Sequence, residues 1–261
     1  MEMLKEKVAI ITGAATGNGA GIASVMSREG ATVCLWDIND LVYETAKGLY
    51  NSCGKVEAFK VDVTNYNQVN QTVRSVIDEF GRVDILVNNA GIYPLVMFLE
   101  TSDKLRDKCW DVNVKGTWNC IKAVLPSMIK QRSGKIVNIS SVTGPLVSAP
   151  GYTAYAMSKG AISAMTRSLA LEVAEYGIHI NAILPGSIDT PGLRAIAIQR
   201  GKDPEEAMNN AARSIPLGRI GTWNDIGGPV TFLSSDYANY ITGIELVVDG
   251  GNVIQELKTT R

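Results

Sequence analysis

Two side chains that could move a proton, Tyr155 and Lys159, stand four residues apart in the segment YTAYAMSKGA, residues 152–161. On a helix this spacing places both side chains on one face, one turn apart. A free phenol has a pKa of about 10 and is a poor base at neutral pH, but a nearby ammonium group favours its ionised form. The residues around the pair are small or apolar. The pattern therefore indicates a proton-transfer pair that faces the interior of the protein.

The chain around this pair alternates between short apolar runs and longer amphipathic stretches. The strand-like runs cover residues 7–12, 31–37, 56–62, 83–89, 134–140, 178–184 and 244–249. Strands of this kind separated by helices predict an α/β fold with a doubly wound, parallel, seven-stranded sheet covered on both faces. No repeat, low-complexity tract or linker interrupts the 261 residues, so we expect a single domain over 1–261.

Composition argues against several kinds of partner and site. The formal charge is −1 and no run of Lys or Arg occurs, which makes nucleic acid and anionic membranes poor partners. No apolar run reaches the about 18 residues of a spanning helix, and the N-terminus lacks the apolar core of a signal peptide, so a cytoplasmic location is expected. Four separated cysteines, Cys34, Cys53, Cys109 and Cys120, predict isolated buried thiols, with no zinc, no other metal site and no disulfide framework.

A glycine-rich loop follows the first predicted strand. The segment TGAATGNG, residues 12–19, has glycines at 13, 17 and 19 and leads into a helix. In doubly wound sheets ligands bind outside the carboxyl ends of the strands. Glycines there let the backbone approach a pyrophosphate, whose charge the free N–H groups of the helix N-terminus bind. A plain tight turn is the alternative, but the position between strand and helix favours a dinucleotide site.

Asp37 gives an independent indication of the same ligand. It ends the second predicted strand, about 20 residues beyond the glycine loop, where an acid accepts hydrogen bonds from a ribose 2′-hydroxyl and repels a 2′-phosphate. Thr16, and not a basic residue, precedes Gly17. These residues favour NAD over NADP. The alternative is an ordinary turn aspartate before Asn39 and Asp40.

Taken in order, the motifs of this chain resemble the short-chain dehydrogenase/reductase family from Lys7 to about Asn252. The matching segments are TGAATGNG (12–19), Asp62 after the third strand, NNAG (88–91), Asn113 in DVNVKG, ISS (139–141), YAMSK (155–159), PGSIDTP (185–191) and DGG (249–251). The resemblance implies a Rossmann-type domain and a catalytic tetrad of Asn113, Ser141, Tyr155 and Lys159. It further implies that the cofactor is bound by Gly13, Gly17, Asn18, Gly19, Asp37, Ile38, Asp62, Val63, Asn89, Ala90, Gly91, Tyr155, Lys159, Pro185, Gly186, Ile188 and Thr190.

The resemblance also assigns a role to each member of the tetrad. Tyr155 exchanges a proton with a secondary alcohol or a ketone while hydride passes to or from the nicotinamide. Ser141 hydrogen-bonds the reacting oxygen. Lys159 binds the nicotinamide ribose, and Asn113 holds a water that leads protons from the lysine towards solvent. The implied function is an oxidoreductase that acts on a small alcohol or ketone with NAD.

Two departures from the family pattern bear on the site. Asn18 stands where the family usually has an aliphatic residue; because that residue mainly offers backbone contact, we expect cofactor binding to survive. The interval between Ser141 and Tyr155 is one residue longer than is common in the family. This leaves open whether Ser140 or Ser141 is catalytic, and we favour Ser141 because it precedes the turn.

In residues 187–216 the alternation of predicted strands and helices stops. We interpret this segment as a long insertion that acts as a lid over the substrate. Apolar residues of this lid and of an adjacent loop predict a neutral, partly apolar alcohol or ketone, unless they only pack the lid down. These residues are Leu193, Ala195, Ile196, Ala197, Ile198, Met208, Leu146 and Val147. Tyr93 and Tyr152 either pack in the core or line the same pocket, and the four tryptophans, Trp36, Trp110, Trp118 and Trp223, are interpreted as packing residues.

Other functions fit the sequence less well. The only histidine, His179, begins the sixth predicted strand and no GxSxG motif occurs, which argues against a serine hydrolase. A cofactor-binding regulator or scaffold without turnover commonly loses the tyrosine or the lysine, and both are present here. A 3-oxoacyl-carrier reductase usually has a basic residue near the glycine loop for NADPH, so this alternative is disfavoured.

The last expectation concerns assembly. The final strand is followed by an apolar-containing tail, and the helix that carries Tyr155 has Ala170 and Ala174 on what is interpreted as its outer face. Small residues permit close contact between helices, and symmetric assembly buries such faces. Because members of the resembled family are typically tetramers, a homotetramer is predicted.

Overall fold

Seven parallel strands form the centre of the computed structural model, which describes residues 2–49 and 54–256. The strands are β1 (Val8–Thr12), β2 (Thr32–Asp37), β3 (Val56–Lys60), β4 (Ile85–Asn88), β5 (Gly134–Ile139), β6 (Ile178–Pro185) and β7 (Glu245–Val248). Their order in the sheet is β3-β2-β1-β4-β5-β6-β7, and all neighbours run parallel. The predicted doubly wound α/β fold is confirmed.

Helices cover both faces of the sheet. They are α1 (Gly17–Arg28), α2 (Leu41–Leu49), α3 (Tyr66–Phe80), α4 (Asp103–Trp110), α5 (Gly116–Gln131), α6 (Thr153–Val173), α7 (Pro191–Gln199), α8 (Pro204–Arg213) and α9 (Trp223–Ser234). Each face of the sheet has its own hydrophobic core, and side chains along β1 alternate between the two. Ile11 packs with residues of α1, α2 and α9, whereas Ile10 packs with residues of α3, α5 and α6. Each fully buried aliphatic side chain contributes about 1.5–3 kcal/mol to folding, so both layers hold the strand ends in place. Within the described ranges, no helix has the length and apolar character needed to cross a membrane.

Residues 187–216, predicted to act as a lid, contain the helices α7 and α8, so the expectation of a segment without regular elements is wrong. Thr190 caps α7 by accepting a hydrogen bond from the backbone of Leu193, and Asp203 caps α8 in the same way. In each case a proline occupies the first turn, where its missing N–H is not needed. Arg194, in α7, forms ion pairs with Asp189, which precedes that helix, at 2.7 Å, and with Glu205, in α8, at 2.6 Å. The second ion pair joins the two helices.

Three further expectations about packing need correction or completion. Ala170 is only 1% exposed, because it packs in the core beneath α6 and does not lie on the outer face. Trp36 is fully buried as expected, but Trp110 and Trp118 are 44% and 54% exposed. Cys34, Cys109 and Cys120 are free and buried, while Cys53 and the tail after residue 256 lie outside the described residues.

Candidate active site

A cavity of about 850 Å³ opens at the carboxyl ends of the strands, within the range of small-molecule sites. Most of the residues predicted to bind the cofactor line it, together with Ser141, Tyr155 and Lys159. Two predicted residues do not: Gly19 and Asn113 lie behind its wall. The doubly wound fold therefore brings the predicted glycine loop and the predicted proton-transfer pair to one cleft.

The glycine loop is shaped by close contact with the loop after β4. Gly13 and Gly17 have φ angles of +64° and +57°, which side chains rarely adopt. A Cβ on Gly13 would lie 2.7 Å from Cα of Ala90, and a Cβ on Gly19 would lie 2.1 Å from the carbonyl oxygen of Gly13. The amide of Asn89 donates to the carbonyls of Thr12 and Gly13, both at 3.0 Å. The absence of a side chain at Gly19 thus lets α1 pack closely against the glycine loop.

The N-terminus of α1 faces the cavity with free hydrogen-bonding groups. The helix begins at Gly17, and the side chain of Thr16 makes no capping bond. The first N–H groups of such a helix are available to an anion. Asn18 lines the cavity beside them, and its buried Oδ1 has no hydrogen-bond partner in the protein. The N–H groups fit a ligand that carries a pyrophosphate, whereas the Asn18 oxygen requires a hydrogen-bond donor.

Asp37 is held rigidly in the cavity wall. One carboxylate oxygen accepts from the backbone N–H of Ala15 at 3.0 Å, and the other accepts from that of Asn39 at 2.9 Å. Among the described residues that line the cavity, the cations are Lys108, on α4, and Lys159, on α6. Neither helix adjoins the end of β2 in the chain, and the cation that pairs with Asp37 in the strand register, Lys60, forms an ion pair with Asp40 at 2.9 Å.

Tyr155 and Lys159 lie one turn apart in α6, as predicted. The Lys159 Nζ is 5.6 Å from the centre of the Tyr155 ring and donates to the carbonyl of Ile139 at 2.8 Å. Burial lowers the pKa of Lys159 to about 8. Burial also raises the pKa of Tyr155 to about 12, although hydrogen bonding with Ser141 partly offsets this. In the chain alone Tyr155 therefore carries its proton at neutral pH; the predicted stabilisation of the phenolate includes the positive charge of an oxidised nicotinamide and stays a prediction.

The two candidate serines point in different directions. The Ser141 hydroxyl accepts from the N–H of Thr143 at 3.1 Å and acts on the Tyr155 hydroxyl as a hydrogen-bond partner. The Ser140 hydroxyl instead donates to the carbonyl of Lys159 at 2.9 Å and pairs with Ser163 at 3.2 Å. Ser140 thus fixes β5 against α6, and the geometry favours Ser141 as the group beside the phenol.

Asn113 connects the loop after β4 to α6. It lies in a π-helical turn, Asp111–Lys115, between α4 and α5. Its Oδ1 accepts from the N–H of Ile92 at 2.8 Å, while its Nδ2 donates to the carbonyl of Ile92 and to the Ser158 hydroxyl, each at 2.9 Å. Ser158 in turn donates to the carbonyl of Tyr155 at 2.7 Å. Both amide hydrogens of Asn113 are used, so they are not available for the water that the family resemblance implies.

Aromatic residues surround the Tyr155 ring. The ring of Tyr93 lies edge-on at 6.3 Å and that of Tyr152 is tilted at 6.0 Å, and both residues line the cavity. Of the apolar residues predicted for the pocket, Val147, Leu193 and Ile196 line it, whereas Leu146, Ala195, Ala197, Ile198 and Met208 do not. The cavity thus has an apolar and aromatic part beside the hydroxyl groups of Ser141 and Tyr155, and Thr143 and Ser148 add further polar groups to its lining.

Some cavity residues were missed by the sequence reasoning. Lys108 and Val112 line the cavity one turn apart on the helical segment that leads to Asn113, and their four-residue spacing was the available signal. Asn252, Val253 and Gln255 also line it. They follow the carboxyl end of β7, and ligands bind at the carboxyl ends of the strands in such sheets, so their position after a predicted strand was the available signal.

The sheet order, the glycine loop and the Tyr–Lys pair define a class of nucleotide-binding oxidoreductases, and comparison with known proteins agrees. Residues 13–252 match the family model described as "Enoyl-(Acyl carrier protein) reductase". The chain belongs to the short-chain dehydrogenase/reductase family. Membership implies a nicotinamide cofactor, NAD or NADP.

Particular relatives match along almost the whole chain. It is 46% identical over 257 residues to the oxidoreductase UcpA of Salmonella typhimurium, covering 98% of each protein. It is 40% identical over 255 residues to the 3-oxoacyl-[acyl-carrier-protein] reductase FabG of Thermotoga maritima, covering 96% of this chain and 99% of that one. The solved structure of levodione reductase superposes with a TM-score of 0.91 at 30% identity, covering 96% and 99% of the two chains.

Proposed function

We propose that the protein is a short-chain alcohol dehydrogenase/carbonyl reductase that transfers hydride between NAD and a secondary alcohol or ketone. The observation that carries the proposal is the joint placement of Ser141, Tyr155 and Lys159 in the cavity that also contains the glycine loop and Asp37. The nicotinamide cofactor, when bound, supplies the hydride donor or acceptor. Everything else in the reaction is assigned to side chains of this chain.

The cofactor-binding residues have complementary roles. Gly13, Gly17 and the open N-terminus of α1 receive the pyrophosphate, with the amide of Asn18 as an additional polar group. Asp37 and Ile38 contact the adenosine ribose, and Asp62 and Val63 the adenine. The nicotinamide half is assigned to the segments 89–91 and 185–190, together with Tyr155 and Lys159. The carboxylate of Asp37 makes NAD the favoured cofactor.

Proton transfer is assigned to Tyr155. In the reducing direction its neutral phenol donates a proton to the carbonyl oxygen of the substrate, and Ser141 hydrogen-bonds the same oxygen. As the phenol loses its proton, the nearby ammonium of Lys159 stabilises the phenolate. In the oxidising direction Tyr155 must first be ionised, which its raised pKa opposes. Asn113 supports the reaction by fixing the loop after β4 to α6.

The substrate proposed is an uncharged, partly apolar alcohol or ketone. Tyr93, Tyr152, Val147, Leu193 and Ile196 surround the reacting end of the cavity. Within the described part of the chain, the charged residues that line the cavity are Asp37 and Asp62, at the proposed adenosine end, Lys159, assigned to the reaction, and Lys108 on α4. A 3-oxoacyl-carrier reductase is the second candidate, favoured by the relative from Thermotoga maritima and disfavoured by Asp37.

The proposal is tested by following the absorbance of NADH while the protein is incubated with a panel of linear, cyclic and aromatic ketones. Consumption of NADH with at least one ketone is expected, and NADPH is expected to react more slowly. Tight NADH binding without turnover on any ketone or on the corresponding alcohols with NAD⁺ would favour the regulator or scaffold. A preference for NADPH of about tenfold or more, a difference of about 1.4 kcal/mol, would contradict the cofactor assignment.

We also propose that the protein assembles as a homotetramer. Trp110, Trp118 and Leu171 leave an apolar surface exposed on the side of α4, α5 and α6, and the sheet ends at β7 with an open edge. Isolated apolar residues on a surface need no partner, but Trp110 and Trp118 line one surface pocket with Met165 and Leu169, and apolar patches of this kind often mark interaction sites. Symmetric contacts between copies would cover both features.

A further inference from the structure

The side chain of Tyr93 extends from the loop after β4 to the lid, where its hydroxyl lies against Gly192. A Cβ placed on Gly192, the second residue of α7, would lie 1.2 Å from the Tyr93 hydroxyl oxygen and 2.5 Å from Cζ. Gly192 has an ordinary helical backbone, since its φ is not positive, so its conformation does not require glycine. What excludes a side chain at this position is the end of the Tyr93 ring, which rests directly on the lid backbone.

The same hydroxyl also meets the residue that starts the lid helix. Thr190 caps α7 by accepting from the N–H of Leu193 at 3.2 Å, and its side chain is a hydrogen-bond partner of Tyr93. At its other side the Tyr93 ring contacts the Tyr155 ring edge-on. One side chain thus links the first turn of the lid to the residue assigned to proton transfer.

The lid is tied to the rest of the protein near its two ends, where Ile188 packs in the core and the carbonyl of Ser214 accepts from Gln255, while the contacts between its helices are internal. α7 packs chiefly on α8, and Arg194 holds Asp189 and Glu205, which belong to the lid segment itself. Such a unit can move as one body about its ends unless something fastens it to the sheet. Tyr93 is placed to do so, because it belongs to the loop after a central strand.

We propose that Tyr93 is a positioning residue that fastens the lid, residues 187–216, over the Tyr155 end of the cavity and so slows release of the bound cofactor. The fastening is a property of the ligand-free chain. The effect on cofactor release rests on the proposed function, and the two parts are tested by different measurements.

Hydrogen exchange of the ligand-free protein tests the fastening. Tyr93→Phe keeps the ring and removes the hydroxyl, and Tyr152→Phe is the matched control because its ring also contacts Tyr155 and lines the same cavity. Loss of one hydrogen bond between neutral groups changes an equilibrium by roughly fivefold. Amides of residues 193–199 should therefore exchange about fivefold faster in Tyr93→Phe and at the wild-type rate in Tyr152→Phe. Equal rates in Tyr93→Phe and wild type, or an equal increase in both variants, would overturn the proposal.

A double-variant cycle at Gly192 gives an independent test. Alanine has a higher helix propensity than glycine, so Gly192→Ala should slow exchange in α7 where nothing obstructs the new methyl group. With Tyr93 present the methyl group collides with the hydroxyl, and exchange should become faster. In a Tyr93→Ala background the same substitution should slow exchange. If Gly192→Ala slows exchange in both backgrounds, Tyr93 does not hold the lid.

Stopped-flow fluorescence of NADH release tests the consequence for the cofactor. Tyr93→Phe should raise the dissociation rate several-fold and leave the association rate unchanged. An unchanged dissociation rate would overturn the claim that the fastened lid retains the cofactor. If wild type does not bind NADH at all, the proposed function fails, while the exchange measurements still decide whether Tyr93 fastens the lid.

Discussion

The Lys159 ammonium lies 5.6 Å from the centre of the Tyr155 ring; the lysine is buried and donates to the carbonyl of Ile139, whereas Tyr155 is half-buried in the cavity wall. Burial acts on the two in opposite directions, because it disfavours each charged form. The pKa of the lysine falls to about 8 and that of the tyrosine rises to about 12. At neutral pH the phenol of Tyr155 is therefore protonated, and the pKa of Lys159 lies close to neutrality.

The pH dependence of turnover should therefore differ between the two directions. Reduction uses the protonated phenol, which persists to about pH 12, and the ammonium of Lys159, which is lost above about pH 8. The kcat/KM for the ketone should be level below pH 8 and fall above it. Oxidation requires an ionised phenol, so kcat/KM for the alcohol should rise with pH. Profiles of the same slope in both directions would contradict these assignments.

Asp37 should control the choice of cofactor through its charge. Asp37→Asn removes the negative charge and keeps an oxygen acceptor for only one of the two backbone N–H groups, those of Ala15 and Asn39, that the carboxylate binds. Hydrogen bonds to a charged group contribute about 1.5–3 kcal/mol, so NADH should bind about tenfold or more weakly. Discrimination against NADPH should fall in the same variant. Fluorescence titration with both cofactors measures this, and an unchanged ratio of the two dissociation constants would rule out a role for the charge.

The exposed tryptophans should mark an interface. Light scattering of the wild-type protein at micromolar concentration should give a mass near four chains of 28.0 kDa. Trp118→Asp places a charge in the exposed apolar face and should shift the population towards smaller species, since burying an unpaired charge costs several kcal/mol. A mass near one chain for the wild type would exclude the tetramer.

Sequence patterns predicted the strands and the residues at their carboxyl ends well, for identifiable reasons. The β-branched runs and the glycine spacing depend on local backbone and periodicity, so Gly13, Gly17 and Asp37 could be placed from the sequence alone. The helices α7 and α8 were missed because residues 187–216 were interpreted as an insertion without strand–helix alternation, although Thr190 and Asp203, each followed by a proline, are capping residues. The burial of Ala170 and the exposure of Trp118 depend on how α6 and α5 are rotated against the sheet.

Asn113 shows a different limit. Its side chain meets Ile92 and Ser158 through a π-helical turn, and regular helical periodicity does not predict such a turn. The family motif pointed to Asn113, but the hydrogen-bond partners of its side chain could only come from the folded chain. The same holds for Tyr93, whose contact with Gly192 joins two segments that are far apart in sequence.

The central claim, that Tyr155 transfers the proton, is tested most directly by comparing single-turnover rates of wild type and Tyr155→Phe with saturating NADH and a ketone that the wild type reduces. Phenylalanine keeps the ring that packs on Tyr93 and Tyr152 and removes only the acid. The account predicts a rate lower by about 10²–10⁴-fold, with NADH binding unchanged in a fluorescence titration. A rate within about threefold of wild type, a difference of less than 1 kcal/mol, would contradict it.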